Sequence, residues 1–382
     1  MAILDAVGRV IAEDLAAPWE MPFCDNSAMD GFAVRAADCH EGVRLRVAGY
    51  IPAGGLPEGP LEPGTAVKIM TGAPTPPECD AVVPLEETAE ADGHVVIQAR
   101  VKPRQHIRFA GEDVRQGEVI MPRGTVVRPA EASMLASYGR ASVPVFSRPR
   151  VAIVSTGDEL VEVGEPLAKG RIVNSNAYAL AAAVQEAGAI PVIIGIARDN
   201  VASHREKLTE GLKADVLVTS AGVSAGDRDL VRAVLAELGV KQLFWRVDIR
   251  PGSPTAFALY GNKPVFSLPG NPVSTMVTFD EFVRPALLKM LGHQRVIRRF
   301  VPALLQEPRE KKAGKVNFLR VRLEVKDGRL LAFSSGAQTT GLLKTMVRAD
   351  GIGVLAADRT SFAKGEEIPV HVLSREVEMM EP

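Results

Sequence analysis

The chain has 382 residues, enough for about two to four domains of ordinary size. Its 46% hydrophobic and 24% charged residues are ordinary for a folded soluble protein with a sizeable core. A formal net charge of -1 argues against bulk electrostatic binding to nucleic acid or acidic lipid. Cys24, Cys39 and Cys79 are odd in number and lack CxxC spacing, so a disulfide framework or zinc knuckle is not expected and a reducing cytoplasm is. The six histidines are scattered, with no HxxxH pair. No apolar run reaches membrane-spanning length and no basic start precedes an apolar core, so the expectation is a cytosolic protein.

Residues 1–22 carry Ile3, Leu4, Val7, Val10 and Ile11 at helical spacing before Pro18. So short an amphipathic helix must pack on something distant. From Phe23 to Val114 the texture is that of a small β domain. Alternating runs at 44–47, 67–70 and 94–101 are separated by Pro and Gly clusters such as Pro52-Ala-Gly-Gly-Leu-Pro57. Cys24-Asp-Asn-Ser-Ala-Met-Asp-Gly31 gathers polar residues around Met29, and Ile69-Met-Thr-Gly-Ala-Pro74 ends a strand with a hydroxyl and a glycine. Each alone also reads as an Asx-type turn or strand end, and Gly111-Glu-Asp113 as an acidic turn. Residues 115–148 return to a mixed pattern, with a helix over 129–138 that stops at Gly139. They pair with 1–22 as one discontinuous domain interrupted by the 23–114 insertion.

At Pro149 a β/α rhythm begins and runs to about 298. Strands are expected at 151–155, 190–196, 216–219, 242–249 and 264–268, with helices at 176–188 and 201–212. A last helix, 272–291, has Pro272 at its first position behind Asn271, and Pro285 is expected to kink or split it. Such alternation implies a parallel sheet covered on both faces, with ligands held beyond the carboxyl ends of its strands. The stretch Asp215-Val-Leu-Val-Thr-Ser-Ala-Gly-Val-Ser-Ala-Gly-Asp-Arg-Asp229 reads as a buried strand, a loop of small residues and the start of a helix whose apolar side is Leu230, Val231, Val234, Leu235 and Leu238. Small residues and free helix-start N–H groups suit a phosphorylated ligand. Residues 299–382 are β again, with alternation over 316–325, a tight turn at Asp327-Gly328 and a closing strand over 366–372.

Asp158, Glu159, Asp199, Asp227 and Asp229 crowd the same rim. A phosphate there would be repelled unless a divalent cation lies between, and hard oxygen ligands favour Mg²⁺ over zinc. Taken singly, Asp227 or Asp229 reads equally as a helix cap and Asp158 as a turn cap. Arg246 and Arg250 offer anchors for an anion, or are solvated strand-end charges. No Ser-His-Asp or Cys-His arrangement is signalled.

Five motifs occur in order: Asp25-Asn-Ser-Ala-Met-Asp-Gly-Phe-Ala-Val34, Ile69-Met-Thr-Gly-Ala-Pro74, Ser155-Thr-Gly-Asp-Glu-Leu160, Ala221-Gly-Val-Ser-Ala-Gly226 and Leu268-Pro-Gly-Asn-Pro-Val-Ser274. Together they resemble the molybdopterin molybdenumtransferases, the MoeA and gephyrin E-domain family, over nearly the whole chain. The resemblance implies a multidomain α/β protein: a three-layer α/β molybdopterin-binding domain (149–298) with a parallel-rich sheet, an inserted β domain (23–114), a small mixed domain (1–22 with 115–148) and a C-terminal β-barrel-like domain (299–382). It implies insertion of molybdate into adenylated molybdopterin with release of AMP, dependence on Mg²⁺ or another divalent cation, and a homodimer whose cleft is shared between subunits. A molybdopterin adenylyltransferase and apo-molybdoenzymes are the further partners it implies.

Carried over by motif, the catalytic set is Asp30, Thr71 and Asp113 on the β side and Glu159, Asp199 and Asp229 on the α/β side, with Asp229 and Asp199 as metal ligands. Ser220, Gly222, Ser224 and Gly226 would hold the pterin phosphate or adenylate, and Arg250, Ser274 and Arg320 would serve the ligand near molybdate. Where the family commonly has lysines, this chain has Arg246, Arg250 and Ser253; Ala221 stands for a frequent glycine, Lys344-Thr345 for paired serines, and the N-terminus is shorter than is typical. A pterin adenylyltransferase-like enzyme and a non-catalytic pterin-binding scaffold of the same fold are the alternatives.

Overall fold

The computed structural model describes residues 1–222 and 230–373. The chain forms two compact units, Met1–Val145 and Phe146–Pro382.

In the first unit a six-stranded sheet runs in the order Ala81–Pro84, Gly31–Val34, Thr65–Ile69, Arg44–Ile51, His94–Ile97, Thr88–Ala91. Gly31 sits where any Cβ would overlap the Val83 carbonyl, so the strand after the Asp25 motif approaches its neighbour as only glycine permits. The first residues differ from their sequence expectation. They form one short 3₁₀ turn, Leu4–Ala6, and then run extended, with Val10 bridging Val126 and Ile11 bridging Val145. Gly8 at φ +77° ends the turn, and extension buries Val10 and Ile11 while leaving Leu4 and Val7 in solvent. Ala6, Ile11 and Leu15 share one core with Met121, Val127, Leu135 and Val143.

The second unit carries the β/α rhythm. Its sheet runs Ile190–Ala197, Arg150–Thr156, Val216–Ser220, Lys263–Leu268, Ala256–Tyr260, Lys241–Phe244; the first four strands are parallel, and Ala256–Tyr260 pairs antiparallel with both of its neighbours. Burial on both faces explains the unbroken apolar runs. Val151, Ile153, Val216 and Val218 face Leu180, Val184 and Leu287, while Ala152, Val154 and Leu217 face Leu208, Val231 and Leu235. The chain leaves Arg150–Thr156 toward one edge and later returns to Val216–Ser220 on its other side. Between those two strands the order reverses, the place where such sheets open a crevice for ligands.

Two elements depart from the sequence reading of this unit. The expected strand 242–249 is two strands in different sheets: Lys241–Phe244 edges the α/β sheet, and Ile249–Arg250 pairs in parallel with Val316 and Asn317 of the C-terminal sheet. Ala256–Tyr260, a hairpin partner of Lys263–Leu268 through Gly261-Asn262, carried no strand expectation. The helix at 272–291 does split, into Pro272–Thr278, a π turn Phe279–Val283, and Arg284–Met290, as Pro285 without an N–H requires.

The C-terminal strands close a barrel: Val316–Lys326, Arg329–Ser334, Phe300–Leu305, Glu367–Val372, Gly351–Leu355 and back to Val316–Lys326. Asp327 and Gly328 both take positive φ, the hairpin turn that matches strand twist. Closure pairs each of these five strands on both sides, and Ile249–Arg250 adds a short sixth strand beside Val316 and Asn317.

Candidate functional site

Three strand ends of the α/β sheet meet at the reversal of strand order. Ser155 and Thr156, then Ser220 and Ala221, then Gly270 and Asn271 line a polar cavity of about 340 Å³ there, closed by Asn174 and Asn176 at the start of helix Ser175–Glu186. The polar groups hold one another: Ser155 Oγ donates to Asn174 Oδ1 at 2.7 Å, and Asn176 Nδ2 donates to Ser220 Oγ at 2.9 Å and to the Gly270 carbonyl at 2.8 Å. Asn174 is 1% exposed and its Nδ2 has no partner among the described residues, a cost that an acceptor arriving in the cavity would remove.

The loop geometry enforces small residues. Ala221 and Gly222 both lie in the left-handed region, at φ +75° and +76°, and a Cβ on Gly222 would overlap Val231 Cγ2. Gly157, at φ +138°, has the Glu159 carboxylate folded over the position a Cβ would take. Glu159 thereby lines the cavity. Asp199 faces Asp158 across the rim: the Asp158 amide donates to Asp199 Oδ2 at 3.3 Å and the Asp199 amide to Asp158 Oδ1 at 3.2 Å. Arg198 fixes this rim by donating to the Leu160 carbonyl at 2.8 Å.

A second cavity, about 490 Å³, adjoins the first at Asn271. Its walls include Arg250, Ser253, Ser274, Lys312, Lys315 and Thr340. Arg320 lies behind it, fully buried, its Nη2 donating to the carbonyls of Ala337 and Thr339 at 3.2 and 3.1 Å and so holding the loop that carries Thr340. Nε and Nη1 of Arg320 have no partner among the described residues, and burial pulls its guanidinium below the usual arginine range.

In the first unit Asp30 and Thr71 come together: Asp30 Oδ1 accepts from both the Thr71 amide and its hydroxyl, each at 2.7 Å. The Thr71 amide first, and then its hydroxyl, hold the Asp30 carboxyl below its ordinary range. Asp113 makes no hydrogen bond to either; its amide donates to the Met21 carbonyl at 3.1 Å, and its charge acts on the Tyr138 hydroxyl.

Of the residues expected from sequence, Glu159 and Ser220 therefore line the first cavity, Gly222 packs behind its wall against Val231 and Thr156, Arg250 and Ser274 line the second, Asp199 occupies the rim, and Arg320 supports a cavity loop. Ser224, Gly226, Asp227 and Asp229 lie outside the described residues. Sequence reading did not single out Asn174, Asn176, Lys312 or Lys315, and read Asn271 as a helix cap within its motif. Asn174 and Asn271 do occupy N-cap positions, yet without any side-chain capping bond. Among the described residues, the one trio of potential metal ligands that converges is Asp280, Glu281 and His371, away from both cavities.

Comparison with known proteins shows the family. Residues 1–139 match the MoeA N-terminal region (domain I and II), 152–289 the probable molybdopterin binding domain, and 302–373 the MoeA C-terminal region (domain IV). The chain is 36% identical over 377 residues to a molybdopterin molybdenumtransferase of Nostoc sp., covering 96% of this chain and 86% of that one. It is 37% identical over 381 residues to molybdopterin molybdenumtransferase 2 of Mycobacterium tuberculosis, covering 96% and 93%. The crystal structure of the molybdopterin biosynthesis MoeA protein from Pyrococcus horikosii superposes with a TM-score of 0.86 at 32% identity, over 97% of this chain and 93% of that one. With family matches in all three regions and relatives of this identity along nearly its full length, the chain belongs to the MoeA family of molybdopterin molybdenumtransferases.

Proposed function

We propose that the chain inserts molybdate into adenylated molybdopterin with release of AMP, using the two adjoining cavities of its second unit as substrate and oxyanion sites. The observation that carries the assignment is their contrast across one shared residue. On one side of Asn271 lie hydroxyl and amide groups with the single carboxylate Glu159 at the rim; on the other, Arg250, Lys312 and Lys315, with no lining carboxylate among the described residues. The first suits the pterin and its phosphate, whose oxygens would satisfy the orphaned Asn174 Nδ2. The second suits a small dianion, met by Ser274 and Thr340 hydroxyls and by cations. An oxyanion and a ligating pterin held on either side of Asn271 are brought to reaction by positioning, and no covalent enzyme intermediate is needed.

A divalent cation, Mg²⁺ by the hardness of its ligands, belongs to the same reading, with Asp199 and Asp229 as its protein ligands. Asp199 keeps Oδ1 available while Oδ2 is engaged by the Asp158 amide. Because no third carboxylate converges there among the described residues, substrate phosphate oxygens would complete the shell, the usual arrangement for Mg²⁺. When bound, the ion would offset charge developing on the leaving AMP. Asp30, Thr71 and Asp113 are assigned to the same cleft from the other subunit of a homodimer. The enzyme would act in the cytoplasm, after a molybdopterin adenylyltransferase and before the apo-molybdoenzymes that take up the cofactor.

Purified protein incubated with adenylated molybdopterin, Mg²⁺ and molybdate should release AMP stoichiometrically with molybdenum transfer. Absence of AMP release under those conditions would overturn the assignment.

A further inference from the structure

The second cavity carries more cationic charge than the strand Ile249–Arg250 supplies, and the surplus comes from the C-terminal barrel. Ser253, which follows that strand, cannot hold charge. Its hydroxyl donates to the Val247 carbonyl at 2.8 Å and accepts from Lys315 Nζ at 3.1 Å. Lys315 lies 62 residues further along the chain. Register brings it there: Ile249 and Arg250 pair in parallel with Val316 and Asn317, and the Val316 amide donates to the Asp248 carbonyl at 3.0 Å. The preceding turn is built to present it. Lys311 spends its ammonium inward, on the carbonyls of Lys315 at 3.0 Å and Ala357 at 3.3 Å, and Gly314 takes φ +97° while its amide donates to Ala357 at 2.8 Å. Lys312 and Lys315 are left on the cavity wall.

An ammonium has three N–H donors, and Lys315 uses one, on Ser253. Among the described residues no carboxylate is within ion-pair distance of Arg250, Lys312 or Lys315. Three like charges around a cavity of about 490 Å³ repel one another, and a bound dianion removes that repulsion. Lys315 is also half-buried, where a cation without a counter-charge is worth more to an arriving anion than on open surface.

We propose that Lys315, with Lys312 beside it, is an oxyanion-binding residue of the second cavity, delivering from the barrel the charge that Ser253 lacks and thereby setting affinity for a tetrahedral dianion. The inference rests on the reading of that cavity as the molybdate site. Its test is direct binding of molybdate, and of tungstate as a second probe, to the full chain by titration calorimetry. Lys315→Gln keeps a donor for Ser253 and removes only the charge, so it should weaken binding about tenfold or more, while Lys315→Arg should stay within about threefold of wild type. Ser253→Lys in the Lys315→Gln background grows an ammonium from the position whose hydroxyl Lys315 Nζ contacts at 3.1 Å and should restore most of the affinity. Thermal midpoints measured alongside separate a binding loss from unfolding; should Lys315→Gln unfold, Lys312→Gln on the exposed side of the turn takes its place with the same expected direction. Unchanged affinity in Lys315→Gln, with wild type binding normally, overturns this charge assignment and leaves the function intact. Failure of wild type to bind either oxyanion overturns the cavity assignment and this proposal with it.

Discussion

Gly222→Ala is the most direct perturbation of the ligand loop. Gly222 follows a residue already in the left-handed region and itself sits at φ +76°, which costs an L-residue about 1–2 kcal/mol. The new Cβ would overlap Val231 Cγ2, with Val231 Cβ at 3.2 Å and Thr156 Oγ1 at 3.3 Å on either side. Val231 is 1% exposed and β-branched, so it cannot rotate away, and overpacking of this kind costs about 1–3 kcal/mol. Alanine also restricts the unfolded chain, which returns about 0.4–1 kcal/mol. The net expectation is destabilisation of about 1.5–4 kcal/mol in the α/β sheet. Because the chain has two units, the measurement should report on one of them: Trp245 fluorescence in urea, in a Trp19→Phe background. At a urea slope of about 2 kcal/mol per molar the midpoint should fall by about 0.8–2 M. Val231→Ala opens space for the new methyl, so the double variant should be less destabilised than the sum of the singles by about 1–3 kcal/mol. Strict additivity would refute the steric argument, and a midpoint within 0.2 M of the parent, on the order of a tenth of the expected shift, would refute the backbone one.

Two further outcomes involve residues of the first unit, Glu131 and Asp30. Glu131, at the third position of helix Pro129–Ser137, accepts from the Arg128 amide at 2.9 Å and its guanidinium at 2.6 Å, and the Arg128 side chain chiefly draws its carboxyl from 4.5 down to about 2. A depressed carboxyl stabilises above its unfolded value and loses that stabilisation as pH falls toward the folded one. Wild type should therefore exceed Glu131→Gln by about 0.5–1 kcal/mol at pH 7, and the gap should close as pH falls from 4.5 to about 2; a gap independent of pH would remove the ion pair from the account. For the proposed cleft shared between subunits, Asp30→Asn and Asp199→Asn, each expected to be inactive alone, should regain about a quarter of wild-type AMP release when unfolded together and refolded in equal amounts. Half of the dimers then pair unlike chains, and each of those has one site free of both changes. No recovery would place Asp30 and Asp199 in a site within one subunit.

Legibility differed by the range of the interactions involved. The strand Val216–Ser220 and its neighbours were readable because burial on both faces writes itself as unbroken Val, Ile and Leu, and the split at Pro285 because proline removes a donor wherever it stands. The opening residues misled because Ile3, Leu4 and Val7 share helical spacing with Val10 and Ile11, whereas the bridges to Val126 and Val145 that extend the segment are formed with residues more than a hundred positions away. The division of 242–249 was invisible for a related reason: Ile249 and Arg250 are claimed by Val316 and Asn317. The same pairing brings Lys315 to Ser253, so a chain that lacks a lysine at 253 in its own segment still presents one in space.

The asparagines show why chemistry at helix starts is easily assigned to structure alone. Asn-Ser-Asn at 174–176 and Asn-Pro at 271–272 satisfy the sequence signature of a helix start, and that signature has a sufficient structural reason. Capping is worth about 1 kcal/mol, and a side chain that caps has its oxygen engaged by the helix. Neither Asn174 nor Asn271 does so here: Asn174 accepts from Ser155 and keeps a buried donor unpaired, and Asn271 forms the wall common to both cavities. The stabilisation forgone at two helix starts is what one expects where polar groups are held ready for a ligand rather than spent on the fold. Replacing such a residue with aspartate, an equally good cap, would keep the helix and place a negative charge against a phosphate or an oxyanion, so the cap signature and the ligand site are separable by a single atom's substitution.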